Sequence, residues 1–148
     1  MGKFLITGAS GFIGAQTSSM LLGQGHTVVG IDNINDAYDP RMKEYRLKKL
    51  QGLPGFKFHR RDISDKTCIE LFKDEMFDGV IHLAARAGVR YSVENPWIFL
   101  ESNVVGTLNI LEVCRQYGCK KFVMASTSSI YGENPPYPTP ETASSSEP

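Results

Sequence analysis

The sequence predicts an α/β protein: a doubly wound parallel sheet carrying helices on its faces. Three observations predict it. Short apolar runs alternate with segments of helical apolar spacing through most of the 148 residues. A glycine-rich stretch, Thr7-Gly8-Ala9-Ser10-Gly11-Phe12-Ile13-Gly14, stands where the first apolar run meets the first helical segment. The second apolar run, Thr27-Val28-Val29-Gly30-Ile31, ends on an acid, Asp32.

Taken in order, the strands fall at residues 4–7, 27–31, 56–59, 80–83 and 122–126, each a short run rich in Val, Ile, Phe or Leu. The helices lie between them at 12–24, 40–51, 66–73 and 96–117. Pro96 suits the first turn of the last helix and Gly118 suits its end. Val104, Leu108 and Leu111 read as that helix's buried stripe, with Gly106 allowing a close approach. Asp62 or Ser64 reads as the cap of the helix starting near Lys66. Residues 133–148 differ: they hold five of the eight prolines and no apolar period, so they are expected to be loose or extended. The reading is thus one domain over residues 1–132 and a Pro/Ser-rich tail over 133–148. A complete sheet of this class has six or more strands, so a C-terminal, substrate-binding region is expected to be missing.

Composition narrows the function. Sixteen basic and sixteen acidic residues cancel, so no overall field recruits nucleic acid or an anionic membrane. No apolar run is long enough to span a bilayer as a helix, and the N-terminus enters a strand at once, so no secretory leader is expected. Cys68, Cys114 and Cys119 are odd in number and form no C-x-x-C pair. Reduced, buried thiols in a cytoplasmic protein are the expectation, with no metal site.

The glycine stretch has the chemistry of a pyrophosphate cradle. Gly8 allows the tight turn off the strand, Gly11 lets backbone approach the phosphates, and Gly14 lets the helix pack closely. The helix start at Phe12 and Ile13 adds unpaired N–H groups and the positive dipole end. Asp32 stands where a carboxylate holds a ribose diol and repels a 2′-phosphate. Asn33 follows it in place of an arginine, which favours NAD over NADP. A turn or capping aspartate is the alternative for Asp32. Asp62, at the end of the third strand with Ile63, can reach an adenine amino group or cap a helix. His82 reads as a core histidine, while Leu83-Ala84-Ala85 leave room for a flat ligand at the sheet's switch point. Arg86 and Arg90 in the following loop suit a phosphate or carboxylate clamp, or are ordinary solvated arginines. Ser126-Thr127-Ser128-Ser129 ends the fifth strand at the same sheet edge.

Together with Asn103 and the run Ser126-Thr127-Ser128-Ser129-Ile130-Tyr131-Gly132, these residues resemble the extended short-chain dehydrogenase/reductases, Rossmann-fold proteins of the NAD-dependent epimerase/dehydratase family. Residues 87–96 and 30–36 are most similar to the nucleotide-sugar 4-epimerase branch that takes UDP-glucuronate. The resemblance implies NAD as cofactor and a nucleotide sugar, a UDP-sugar, as partner. It places Gly8, Gly11 and Gly14 at the pyrophosphate, Asp32 at the ribose, Asp62 and Ile63 at the adenine, and Leu83, Ala84 and Ala85 along the cofactor. Asn103 then faces the site from its helix, and Thr127 matches the catalytic serine/threonine. The family's Tyr-x-x-x-Lys pair is absent after the fifth strand, where Tyr131 meets Pro135 at the lysine position. Two further readings stay open: a non-catalytic dinucleotide-binding or assembly module, and a fragment of a nucleotide-sugar dehydratase. Exposed apolar faces lead us to expect a homo-oligomer.

Overall fold

The structure is a computed structural model describing residues 1–144; the last four residues of the tail expectation lie outside the described residues. Five parallel strands form one sheet in the order β3-β2-β1-β4-β5. These are β1 (Lys3–Thr7), β2 (Thr27–Asp32), β3 (Phe56–Arg60), β4 (Gly79–His82) and β5 (Phe122–Met124). The chain winds outward from β1 in one direction to β3, then returns across β1 to β4 and β5. The topological switch therefore lies between β1 and β4, where a doubly wound sheet places its ligand crevice.

Leu5 and Ile6 of β1 are fully buried and pack on opposite faces of the sheet, because successive strand side chains alternate. Leu5 joins Val29, Phe72, Val80, Ile110 and Val113 in the larger core cluster, and Ile6 joins Ala9 and Val28 in the smaller one. The cysteines are free and buried, and burial raises the Cys68 and Cys114 thiols to about 11. No helix among the described residues is long and apolar enough to cross a membrane.

Helix α1 (Phe12–Gly23) follows the glycine stretch, and α2 (Pro40–Gln51) is capped by Asp39, whose side chain accepts from the Arg41 amide. Lys66–Phe72 is a 3₁₀ segment where the sequence suggested an α-helix. A run this short gains little from α geometry, and its first bond closes from the Cys68 amide to the Asp65 carbonyl. Its cap is Asp65, which accepts from the Thr67 amide at 2.9 Å; Asp62 and Ser64 are not the cap. Strand β5 ends at Met124, two residues short of the expectation. An unforeseen helix α3 (Val89–Glu94) occupies the loop after β4 and stops at Asn95, where the following Pro96 disfavours helical geometry.

The long helix runs as predicted from Pro96 to Tyr117, as α4 (Pro96–Phe99), a π turn (Leu100–Val105) and α5 (Gly106–Tyr117). Gly118 closes it in the left-handed conformation at φ 73°. Its buried stripe is a correction. Val104, Leu108 and Leu111 are 57 %, 56 % and 43 % exposed, and the inward face carries Gly106, Asn109, Ile110, Val113 and Cys114. Gly106 gives the close approach there: a Cβ would sit 2.7 Å from the Ile63 side chain, which would have to shift.

Candidate functional site

The carboxyl ends of β1, β2, β3 and β4 open onto a cavity of about 240 Å³. Its walls include Gly8, Gly11, Asp32, Asn33, Asp62, Ile63, Leu83, Ala84 and Ala85, so nine of the residues singled out in the sequence converge on one space. Whole small-molecule sites run to roughly 300–1,000 Å³, so this volume suits one half of a dinucleotide.

The glycine turn is built by contacts that only glycine permits. Gly8 holds φ 68°, donates to the Ile31 carbonyl at 2.9 Å, and packs so tightly that a Cβ would meet the Ala84 amide nitrogen at 2.9 Å. At Gly14 a Cβ would overlap the Gly8 carbonyl oxygen, so this residue lets α1 close down on the turn itself. Gly11 faces the cavity. The first intrahelical bond of α1 runs from the Ala15 amide to the Gly11 carbonyl, leaving the amides of Phe12, Ile13 and Gly14 without helical partners. The Phe12 and Ile13 side chains line a separate groove between α1 and α2 and are 79 % and 61 % exposed. Only their backbone can serve the cavity.

Asp32 is 8 % exposed, and both its oxygens hold backbone: Oδ2 accepts from the Ser10 amide at 3.0 Å and Oδ1 from the Ile34 amide at 2.8 Å. It thereby ties the glycine turn to the β2–α2 loop. A carboxylate has about four acceptor positions, so the turn role leaves capacity for a ribose diol. Asp62 accepts from the Ser64 amide and hydroxyl at Oδ1 and from Asn33 Nδ2 at Oδ2. Burial raises its carboxyl, but these hydrogen bonds outweigh burial and hold it below its ordinary value. Asn33 Oδ1 in turn accepts from the Asn35 amide.

His82 proves to be structural. The Thr7 hydroxyl accepts the amides of Leu83 and Ala84, each at 3.0 Å, which leaves its proton for His82 Nδ1 at 2.8 Å. His82 Nε2 then donates to Thr107 Oγ1 at 3.0 Å, and that hydroxyl donates to the Asn103 carbonyl at 2.6 Å. Burial lowers the imidazole's pKa, keeping it neutral for this relay. The chain of bonds pins the small residues after β4 across the switch point. Asn109, missed in the sequence, buries its amide and donates to the Ile63 carbonyl at 2.7 Å, fixing the third strand's loop from α5. A polar residue inside an otherwise apolar helical stripe was the available signal.

Other expected residues stand elsewhere. Asn103 binds backbone, accepting from the Arg86 amide at 2.7 Å and donating to its carbonyl at 2.9 Å; its neighbour Ser102 reaches the cavity wall. Arg86, read in the sequence as a clamp or an ordinary solvated arginine, is mostly buried. Its guanidinium turns toward the β2–α2 loop, with Nη2 3.8 Å from Asp36 Oδ1 and only 10 % of its side chain exposed. Arg90 is exposed on α3 and does not line the cavity. Thr127 is exposed beyond β5 and caps the short 3₁₀ turn Ser128–Tyr131 by accepting from the Ser129 amide at 3.2 Å. It shares the sheet edge with the cavity without lining it. The sequence did not single out Lys43, Tyr38 and Arg61, which do.

The sheet order, the switch-point cavity, the glycine cradle and the strand-end acid define a doubly wound dinucleotide-binding protein. Residues 5–147 match the family described as GDP-mannose 4,6 dehydratase, and the chain belongs to this family of NAD-dependent epimerases and dehydratases. Over 139 residues it is 50 % identical to the UDP-glucuronate 4-epimerase of Thermodesulfobacterium geofontis, a match covering 93 % of this chain and 43 % of that relative. A probable UDP-glucuronate 4-epimerase of Rhizobium meliloti is 42 % identical over 99 % of this chain and 43 % of its own length. Among solved structures, UDP-glucuronic acid 4-epimerase from Bacillus cereus, in complex with UDP-glucuronic acid and NAD, aligns with TM-score 0.81 and 36 % identity. That alignment covers 90 % of this chain and 43 % of the solved one. The chain thus spans less than half the length of these relatives.

Proposed function

We propose that these residues form the NAD-binding portion of a nucleotide-sugar 4-epimerase whose substrate is UDP-glucuronate. The observation that carries this reading is the cavity joining the glycine turn, Asp32 and Asp62 at the switch point. The residues present fit the cofactor: unpaired helix amides stand beside a glycine turn too tightly packed to admit a Cβ, and Gly8, Gly11 and Asp32 line the same space. NAD, when bound, supplies the acceptor and donor of hydride for sugar C4. The glycine turn and the α1 amides bind its pyrophosphate, Asp32 its adenosine ribose, and Asp62 with Ile63 its adenine. Thr127 orients the sugar hydroxyl. Identity to the epimerases over nearly all of this chain supports this reading above a dehydratase.

By themselves these 148 residues bind cofactor without completing turnover, since no Tyr-x-x-x-Lys pair follows β5. We also assign self-association to the exposed apolar face of the Pro96–Tyr117 rod. The deciding experiment is titration calorimetry with NAD and NADP on the wild type and Asp32→Ala. NAD binds more tightly to the wild type, and the substitution weakens NAD and narrows the preference. Equal wild-type affinity for the two cofactors overturns the reading.

A further inference from the structure

Lys43 lies in the first turn of α2 and is only 5 % exposed, an unusual burial for a lysine. It lines the same cavity as Asp32. Its Nζ donates to the Asn35 carbonyl at 3.0 Å and to Asn35 Oδ1 at 2.7 Å, and lies 4.8 Å from the centre of the Tyr38 ring. Two of its three N–H groups are thus engaged, and it forms no ion pair among the described residues; Asp32 and Asp36 act on it only at longer range. Burial pushes its pKa below the ordinary lysine range, with Asp32 opposing and Arg86 adding to the depression. Arg86 repeats the pattern nearby: its Nε is buried without a hydrogen-bond partner. A buried cation with spare donor capacity is costly unless a ligand uses it. On the cofactor reading proposed above, the ligand groups that Asp32 holds at this end of the cavity are the ribose hydroxyls.

We propose that Lys43 is a recognition residue for the adenosine ribose, donating its third N–H to a ribose hydroxyl and setting, against Asp32, the choice between a free 2′-hydroxyl and a 2′-phosphate. The inference rests on the dinucleotide reading above and adds to it. Neighbouring residues in sequence suggest that Asp32 alone excludes NADP. The fold instead brings a cation from α2 to the cavity that this carboxylate lines, so the repulsion of a 2′-phosphate is partly cancelled. Removing the cation harms a dianionic ligand most.

The test compares the 148-residue wild type with Lys43→Met, titrating ADP, 2′,3′-dideoxy-ADP, NAD and NADP into each by calorimetry, with thermal unfolding to confirm folding. Lys43→Met is expected to weaken ADP about 10-fold or more, the scale of a hydrogen bond to a charged group. Dideoxy-ADP, lacking the hydroxyls, changes little, and NADP loses more than NAD. Lys43→Gln keeps a donor for Asn35 without the charge; it gives the same pattern and decides the question if the Met variant does not fold. An equal loss for ADP and dideoxy-ADP, or no loss for either, overturns the proposal and leaves Lys43 a brace for the Asn35 loop. A wild type that binds none of the four ligands overturns the dinucleotide reading as well. A wild type that binds NAD with the ADP ratio unmoved overturns only the role of Lys43.

Discussion

Thr7 and His82 show how a residue far from any chemistry shapes a site. One hydroxyl accepts two amides and donates to one imidazole, so the loop after β4 is held by a single threonine. The arrangement requires neutral imidazole, and burial supplies that by lowering the pKa of His82 from its ordinary 6.5. His59 is lowered as well, by burial and then by Lys57. The sign follows from linkage. A histidine depressed in the fold takes up its proton first in the unfolded chain, so its contribution is complete above about pH 6.5 and is lost as pH falls through the depressed folded value. Denaturation midpoints are therefore expected to fall between pH 7.5 and 5.5. Asp62, held below its ordinary value, adds its loss only at lower pH. A midpoint unchanged between 7.5 and 5.5 would contradict the relay.

At the scale of an element, the Pro96–Tyr117 rod carries apolar residues on two faces. Ile110 and Val113 enter the core, and Trp97, Leu100, Val104, Leu108 and Leu111 remain exposed. They recur every three or four residues, so the outer face is a continuous stripe on one side of the helix. Beside it, β5 leaves Val123 and Met124 62 % and 51 % exposed at the sheet edge. Unpaired apolar strand edges and helix faces of this kind favour association. The protein is expected to show concentration-dependent mass growth by light scattering. The double substitution Leu108→Glu, Leu111→Lys should reduce it while leaving NAD binding intact, because neither side chain reaches the cavity. A monomer at all concentrations would remove this face from the account.

For the whole molecule, the question is what the assembled edge can catalyse. The cavity gathers the groups to which the proposed function assigns the nucleotide, and none of its lining residues is assigned there to the sugar hydroxyl. Thr127 lies outside it, and a threonine hydroxyl is a poor base near neutral pH. A positioned acid/base contributes about 10²–10⁴-fold, so UDP-glucuronate is expected to remain unconverted by this chain at saturating NAD, within the background of a coupled assay. Turnover above background that Thr127→Ala abolishes would show that the base has been misplaced, and Tyr131 would be the next residue to substitute.

What the sequence determined by itself was local. The strand, glycine turn and helix succession, the strand-end acid Asp32, and the helix bounds at Pro40, Pro96 and Gly118 all follow from short-range stereochemistry: φ freedom at glycine, the missing N–H of proline, and apolar period. The doubly wound parallel class followed from the same alternation, and the strand order came from the structure. The tertiary structure alone decided which way side chains face. Nothing in the spacing of Val104, Leu108 and Leu111 separates an inner stripe from an outer one when both faces of a helix are apolar; packing of Gly106 on Ile63 and the bond from Asn109 to the Ile63 carbonyl set the rotation. The same holds for Arg86, turned toward Asp36, and for Lys43, which α2 brings to the cavity that Asp32 lines. Those placements depend on long-range contacts and the desolvation of charge, which a linear pattern does not encode.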